Sequence, residues 1–151
     1  MERAICGFHI DERDDWVAEL DCYHNQHVRH KPPFFNRPWV KTAAGREDMI
    51  GEVLDCVRCD RFEFPPHLVP YKRTPVFNEH TIPAGLIRNH STKTGVWGRI
   101  NVISGSLHYE ALGQRQLLTP DATGVVVPCM LHNVAPCEEV TFYVEFFHRK
   151  T

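Results

Sequence analysis

The chain has 151 residues, 42% of them apolar and 24% charged, and a formal net charge of −2. That is an ordinary globular balance, and it excludes a membrane-spanning chain and a generally basic nucleic-acid binder. Six cysteines behind a start with no long apolar run predict no signal peptide and a reducing compartment, the cytoplasm, where thiols serve metal or packing.

Charge is unevenly spread. Residues to Pro65 carry nine Lys/Arg against thirteen Asp/Glu, and the remainder eight against six. The length allows one domain or two small ones, and Phe64-Pro65-Pro66 is the break the composition offers. The expected division is therefore 1–65 and 66–151.

In the first part, Ile5, Phe8 and Ile10 predict a strand, Asp11 to Asp15 an acidic turn, and Trp16 to Leu20 a second strand of period two. The hairpin delivers Cys22-Tyr-His24-Asn-Gln-His27-Val-Arg-His30, with a further extended segment over Gln26 to His30. Pro32-Pro33 and Pro38 forbid a central strand. Thr42 is the expected N-cap of a short helix from Ala43 to Gly51. That helix leads to Cys56-Val-Arg-Cys59.

Cys-x-x-Cys presents two sulfurs from one tight turn, the knuckle of a tetrahedral zinc site. Cys22 with His24 or His27 supplies the other two ligands, His24 being preferred because Cys-x-His keeps both in one turn. A redox Cys-x-x-Cys expects a βαβ context, which is missing here. About sixty residues build too small a core to stand alone, so a structural zinc supplies folding free energy.

After Pro66 the chain reads as short strands: Gly85 to Arg88, Trp97 to Ile103, Leu107 to Ala111, Arg115 to Leu118, Gly124 to Val127 and Val140 to Phe147. Ser104-Gly105 and Leu112-Gly113 read as turns. Six strands at this spacing predict a β-sandwich or small barrel. Cys129 is expected to be a buried, inert thiol and Trp97 a core residue.

Tyr71 to Phe77, Pro83-Ala-Gly-Leu86, His90 to Gly98, Gly105, Pro128, His132 and Val144-Glu-Phe146 resemble the TehB/YeaR-like tellurite-resistance family of the cupin superfamily. The first part resembles a small bacterial Cys/His-rich family of unknown function, through the Cys22 cluster, Arg37-Pro-Trp39 and Cys56-x-x-Cys59. The barrel resemblance implies a cupin-like double-stranded β-helix, making the whole chain mainly β (α+β overall) with a zinc-stabilised N-terminal module. Longer family members carry a methyltransferase after the barrel, but this chain has no Gly-x-Gly-x-x-Gly loop, so methyl transfer is not expected of it.

Against the cupin pattern, the expected metal-binding Glu falls on Gly98, while Pro128 to His132 keeps the second-motif spacing. His90 and His132 are thus candidates for a second divalent metal in the barrel, with Glu145 as third ligand. Glu145 alternates with Phe142, Val144 and Phe146, and periodicity leaves open which face is inward. The resulting expectation is a stress-response binding protein rather than an enzyme. It is a homodimer without membrane association, and its barrel takes a small molecule or oxyanion. The alternatives are a protein- or nucleic-acid-binding adaptor and a metal-dependent cupin enzyme such as a dioxygenase. The adaptor rests on Arg29 to Arg46, which holds five basic residues, no acid, and Phe34, Phe35 and Trp39.

Overall fold

A computed structural model describes residues 1–150; Thr151, the last residue of the expected second domain, lies outside them. The chain separates into two compact units, Met1–Arg61 and the residues from Phe62 on.

The first unit is a four-stranded antiparallel sheet with three short helical segments, the first a 3-10 turn over Pro38–Lys41. Its strands are β1 (Glu2–Ile10), β2 (Trp16–Leu20), β3 (Asn25–His27) and β4 (Val53–Asp55), ordered β3-β2-β1-β4. Period-two alternation in β2 puts Ala18 and Leu20 on one buried face, and Val17 is buried as well; with Ile5, Val28 and Val40 they form a small core. Helix α1 (Ala43–Asp48) begins where expected, with the Thr42 hydroxyl accepting from Gly45 N at 3.0 Å. It ends at Asp48, short of Gly51. Helix α2 (Val57–Asp60) is a single turn that starts directly after Cys56.

The second unit is a six-stranded antiparallel sheet of β5 (Leu68–Arg73), β6 (Phe77–Asn78), β7 (Trp97–Ala111), β8 (Gln114–Leu118), β9 (Gly124–Val126) and β10 (His132–Arg149). Strands β7 and β10 pair with each other from His132↔Ala111 to Phe147↔Trp97. The far side of β7 is shared, β9 pairing its first half and β8 its second. Buried Trp97, Ile100, Leu107, Tyr109, Phe142 and Val144 form the core.

Two expectations are corrected, and one strand was not foreseen. Gly85 to Arg88 is no strand: α3 (Ala84–Ile87) is a helical turn, closed by Leu86 N to Pro83 O at 2.9 Å and Arg88 N to Ala84 O at 3.2 Å. Pro83, with φ −57°, already sets the geometry a turn needs at its start. Ser104-Gly105 is no turn, because β7 runs through it. Leu68–Arg73 is a strand despite Pro70, which sits on the sheet edge where a missing N–H is tolerated. Among the described residues, no helix is long and apolar enough to cross a membrane.

Candidate functional site

Two knuckles meet in the first unit because β1 pairs with β2 on one side and β4 on the other. The turn after β2 is tight, with Tyr23 N donating to Leu20 O (2.9 Å), Leu20 N to His24 O (3.0 Å) and Tyr23 at φ +71°. It carries Cys22 and His24. The end of β4 carries Cys56 and, one helical turn on, Cys59. The donor atoms of these four side chains lie within 4.8 Å of one another, and all four residues are buried. His24 Nδ1 is 3.5 Å from Cys22 Sγ, 3.4 Å from Cys56 Sγ and 3.6 Å from Cys59 Sγ, and Cys22 and Cys56 sulfurs are 3.8 Å apart.

These distances can be compared with a tetrahedron. With metal–sulfur bonds of about 2.3 Å and metal–nitrogen bonds of about 2.0 Å, zinc places sulfurs about 3.8 Å apart and sulfur and nitrogen about 3.6 Å apart. The three sulfur–nitrogen distances and the Cys22–Cys56 sulfur distance match those edges, so the donor set fits a metal ion such as zinc. Among the described residues it is the one group of three or more Cys, His, Asp or Glu side chains so arranged.

The electrostatics divide the three thiols. Hydrogen bonding from Cys22 holds the Cys59 thiol down to about 4 against its burial, with His24 and the Arg3 guanidinium adding to the effect. Cys22, as the donor to Cys59 and itself buried, moves up, and burial also raises Cys56. Arg3 is 4% exposed, and sequence reasoning missed it. Burial opposes its charge, but Cys59, Cys22 and Asp21 outweigh that and raise its pKa. Three thiolates and a neutral imidazole around a divalent ion leave one negative charge, which a buried guanidinium offsets. An Arg at an alternating position of the first strand was the only signal in the sequence.

His27 is not part of the cluster. Its Nε2 donates to Asp11 Oδ2 at 2.8 Å on the exposed side. Asp11 is lowered to about 2, chiefly by the hydrogen bond from Asp15 N, then by those from His27 and Arg13 N. The reason is register: His27 lies within β3, opposite Val17, beyond the turn that turns His24 inward.

The second unit encloses a cavity of about 430 Å³. Its floor is apolar, with Ile100, Val126, Phe142 and Val144, while Lys72, Lys93, Ser91 and Thr92 add polar groups. His90 and His132 also line it. Their backbones exchange hydrogen bonds of 3.0 and 2.9 Å, and their ring centroids are 4.0 Å apart. Nδ1 of His90 donates to Arg88 O at 3.0 Å and Nδ1 of His132 to Met130 O at 2.9 Å. With Nδ1 so engaged, Nε2 is the acceptor in the neutral form of either ring. Burial, helped by His90 and opposed by the Met130 bond, pushes His132 down to about 4.

Glu145 does not join them. Phe142, Val144 and Phe146 face the cavity, so Glu145 takes the opposite face of β10, where its carboxylate is 3.9 Å from Arg73. Gly98 cannot stand in for a Glu either, since a Cβ there would press on Val126 at 3.0 Å. Cys129 is exposed, contrary to expectation: it sits at φ +62° in a turn whose buried position goes to Met130. Trp97 is fully buried. Lys72 and Lys93 were missed as site residues, although both lie in the runs that carry the family resemblance.

Two family models divide the chain. Residues 72–144 match the TehB-like domain and residues 6–63 match a protein of unknown function, DUF3565. Both expected resemblances are therefore present. The uncharacterized protein YeaR of Escherichia coli K12 is 27% identical over 97 residues, 56% of this chain and 82% of its own length. The crystal structure of TehB from Haemophilus influenzae superposes with a TM-score of 0.52 at 26% identity, covering 56% of this chain but 32% of TehB. The chain thus spans about a third of TehB. A solved Escherichia coli K12 protein gives a TM-score of 0.55 at 25% identity, covering 59% of this chain and 98% of its own.

Proposed function

We propose that the chain is a zinc-stabilised binding protein whose second unit takes a small anionic molecule with an apolar body. Zinc held by Cys22, His24, Cys56 and Cys59 is structural in this reading, since four protein donors complete a tetrahedron and leave no open position. When bound, it supplies folding free energy to the first unit. The second unit is a cupin-like double-stranded β-helix, and the resemblance to TehB supports a place in the response to toxic oxyanions.

The observation that carries the binding role is the cavity: an apolar floor of Ile100, Val126, Phe142 and Val144 beside two lysines, two hydroxyls and two imidazole acceptors. Pockets of this size bury most of a small ligand through apolar contact, and a few polar groups fix its orientation. Lys72 and Lys93 select negative charge. A neutral His132 accepts a hydrogen bond from a ligand hydroxyl or amide without repelling a nearby cation.

A thermal-shift comparison of benzoate, benzyl alcohol and tellurite tests this. Benzoate should raise the melting temperature where benzyl alcohol does not, and Lys72→Ala/Lys93→Ala should lose that rise. Equal responses to benzoate and its neutral counterpart would remove the anion from the proposal. A response to tellurite alone would shift the ligand to an inorganic oxyanion.

A further inference from the structure

We propose that the loop from Lys31 to Lys41 in the first unit is a stacking platform for single-stranded nucleic acid, a role separate from that of the cavity. Lys31 N donates to Phe35 O at 2.8 Å and Phe35 N to Lys31 O at 2.9 Å, closing a five-residue loop, Lys31-Pro-Pro-Phe34-Phe35. The loop holds Phe34 86% exposed and Phe35 46% exposed. An aromatic ring that far out of the core contributes nothing to packing, yet its backbone is fixed. Arg37 lies beside it, its backbone N donating to His30 Nδ1 at 3.0 Å and its guanidinium 5.9 Å from the Phe35 ring centroid.

The structure sorts the residues of the basic, aromatic stretch. Trp39 packs edge-on against Phe8, Arg46 lies 3.6 Å over the Trp16 ring, and Arg29 reaches Asp15 at 3.5 Å, so these three serve the fold. Lys31, Phe34, Phe35, Arg37 and Lys41 remain around the loop. No Asp or Glu occurs from residue 29 to residue 46. Two of the four acids in the turn before β2 are answered locally, Asp11 by His27 and Asp15 by Arg29.

Exposed rings flanked by cations match the two faces of a single strand, the base that stacks and the phosphate that pairs. Duplex bases are already stacked within the helix, so the platform discriminates against double strands. An anionic membrane shares the charge, but insertion needs a broad apolar face. Here one ring is fully presented, and the other carries Arg37.

Fluorescence anisotropy of the full chain with a labelled oligothymidine of about ten nucleotides tests this. Binding should weaken steeply between about 50 and 200 mM salt. Phe34→Ala should weaken it about tenfold and Phe34→Trp restore it. Lys31→Ala should lower the salt slope by about 0.7. Phe34 is too exposed for its replacement to unfold the unit, so loss of binding reports the platform. Absence of binding at the lowest salt, indifference to Phe34→Ala, equal affinity for a duplex, or binding to phosphatidylserine vesicles in preference to the oligonucleotide would each overturn the proposal.

Discussion

His132 is an imidazole whose charge the fold opposes. Its folded pKa is about 4 against an ordinary 6.5, with burial the main cause and His90 adding to it. Between those values the unfolded chain binds a proton that the folded chain does not, so stability falls as pH drops through that window and is level above it. The expected loss is about 3 kcal/mol from this one residue. Urea midpoints at pH 7 and pH 4 should therefore separate further for the native protein than for His132→Asn, whose Nδ2 stands where Nδ1 donates to Met130 O. Parallel pH profiles would contradict the assignment. The spacing from Pro128 marked His132 in the sequence, but its neutrality was not legible there, because it depends on the packing of His90 and the cavity wall around it.

Among the elements, β7 and β10 show what alternation can and cannot reveal. Both were read as shorter strands broken at Ser104-Gly105 or beginning at Val140, yet each is continuous. The break in pattern is a bulge: pairing skips from Pro136↔Leu107 to Val140↔Gly105, and Cys137 to Glu139 are exposed. Gly105 lies there at φ +77°, and a Cβ on it would collide with the Glu139 carbonyl oxygen. A glycine inside a strand pattern signals a turn or a bulge alike. Gly105→Ala should cost about 2 kcal/mol or more, because the collision with the Glu139 carbonyl adds to left-handed backbone strain, whereas Gly113→Ala, also left-handed at φ +69° but with open space around it, should carry the backbone strain alone and cost less. Equal denaturation midpoints for the two variants would show that the bulge relaxes without penalty. The first unit was more legible: β2 and the start of α1 fall where period two and Thr42 put them, because local chemistry decides both.

At the scale of the whole molecule, the Cys/His cluster was largely legible and the cavity was not. Cys-x-His and Cys-x-x-Cys are local motifs whose spacing limits their geometry, so sequence alone found all four donors. It left His24 and His27 as alternatives, since only the register of β3 separates them. The cavity draws Lys72, Lys93, His90, His132 and Phe142 from segments far apart in the chain, which no local pattern joins. Self-association belongs to this scale as well. The edges of the second sheet expose strand groups that a two-fold dimer would cover, so sedimentation should give twice the chain mass at micromolar concentration, and a monomer would remove the dimer. The proposed function divides the labour, with zinc in the first unit and ligand in the second. Elemental analysis of the purified chain beside two variants tests it most directly. The account predicts one zinc per chain in the native protein, none in Cys56→Ser, and one still in His90→Ala/His132→Ala. Zinc retained by Cys56→Ser, or lost from the histidine variant, would contradict it.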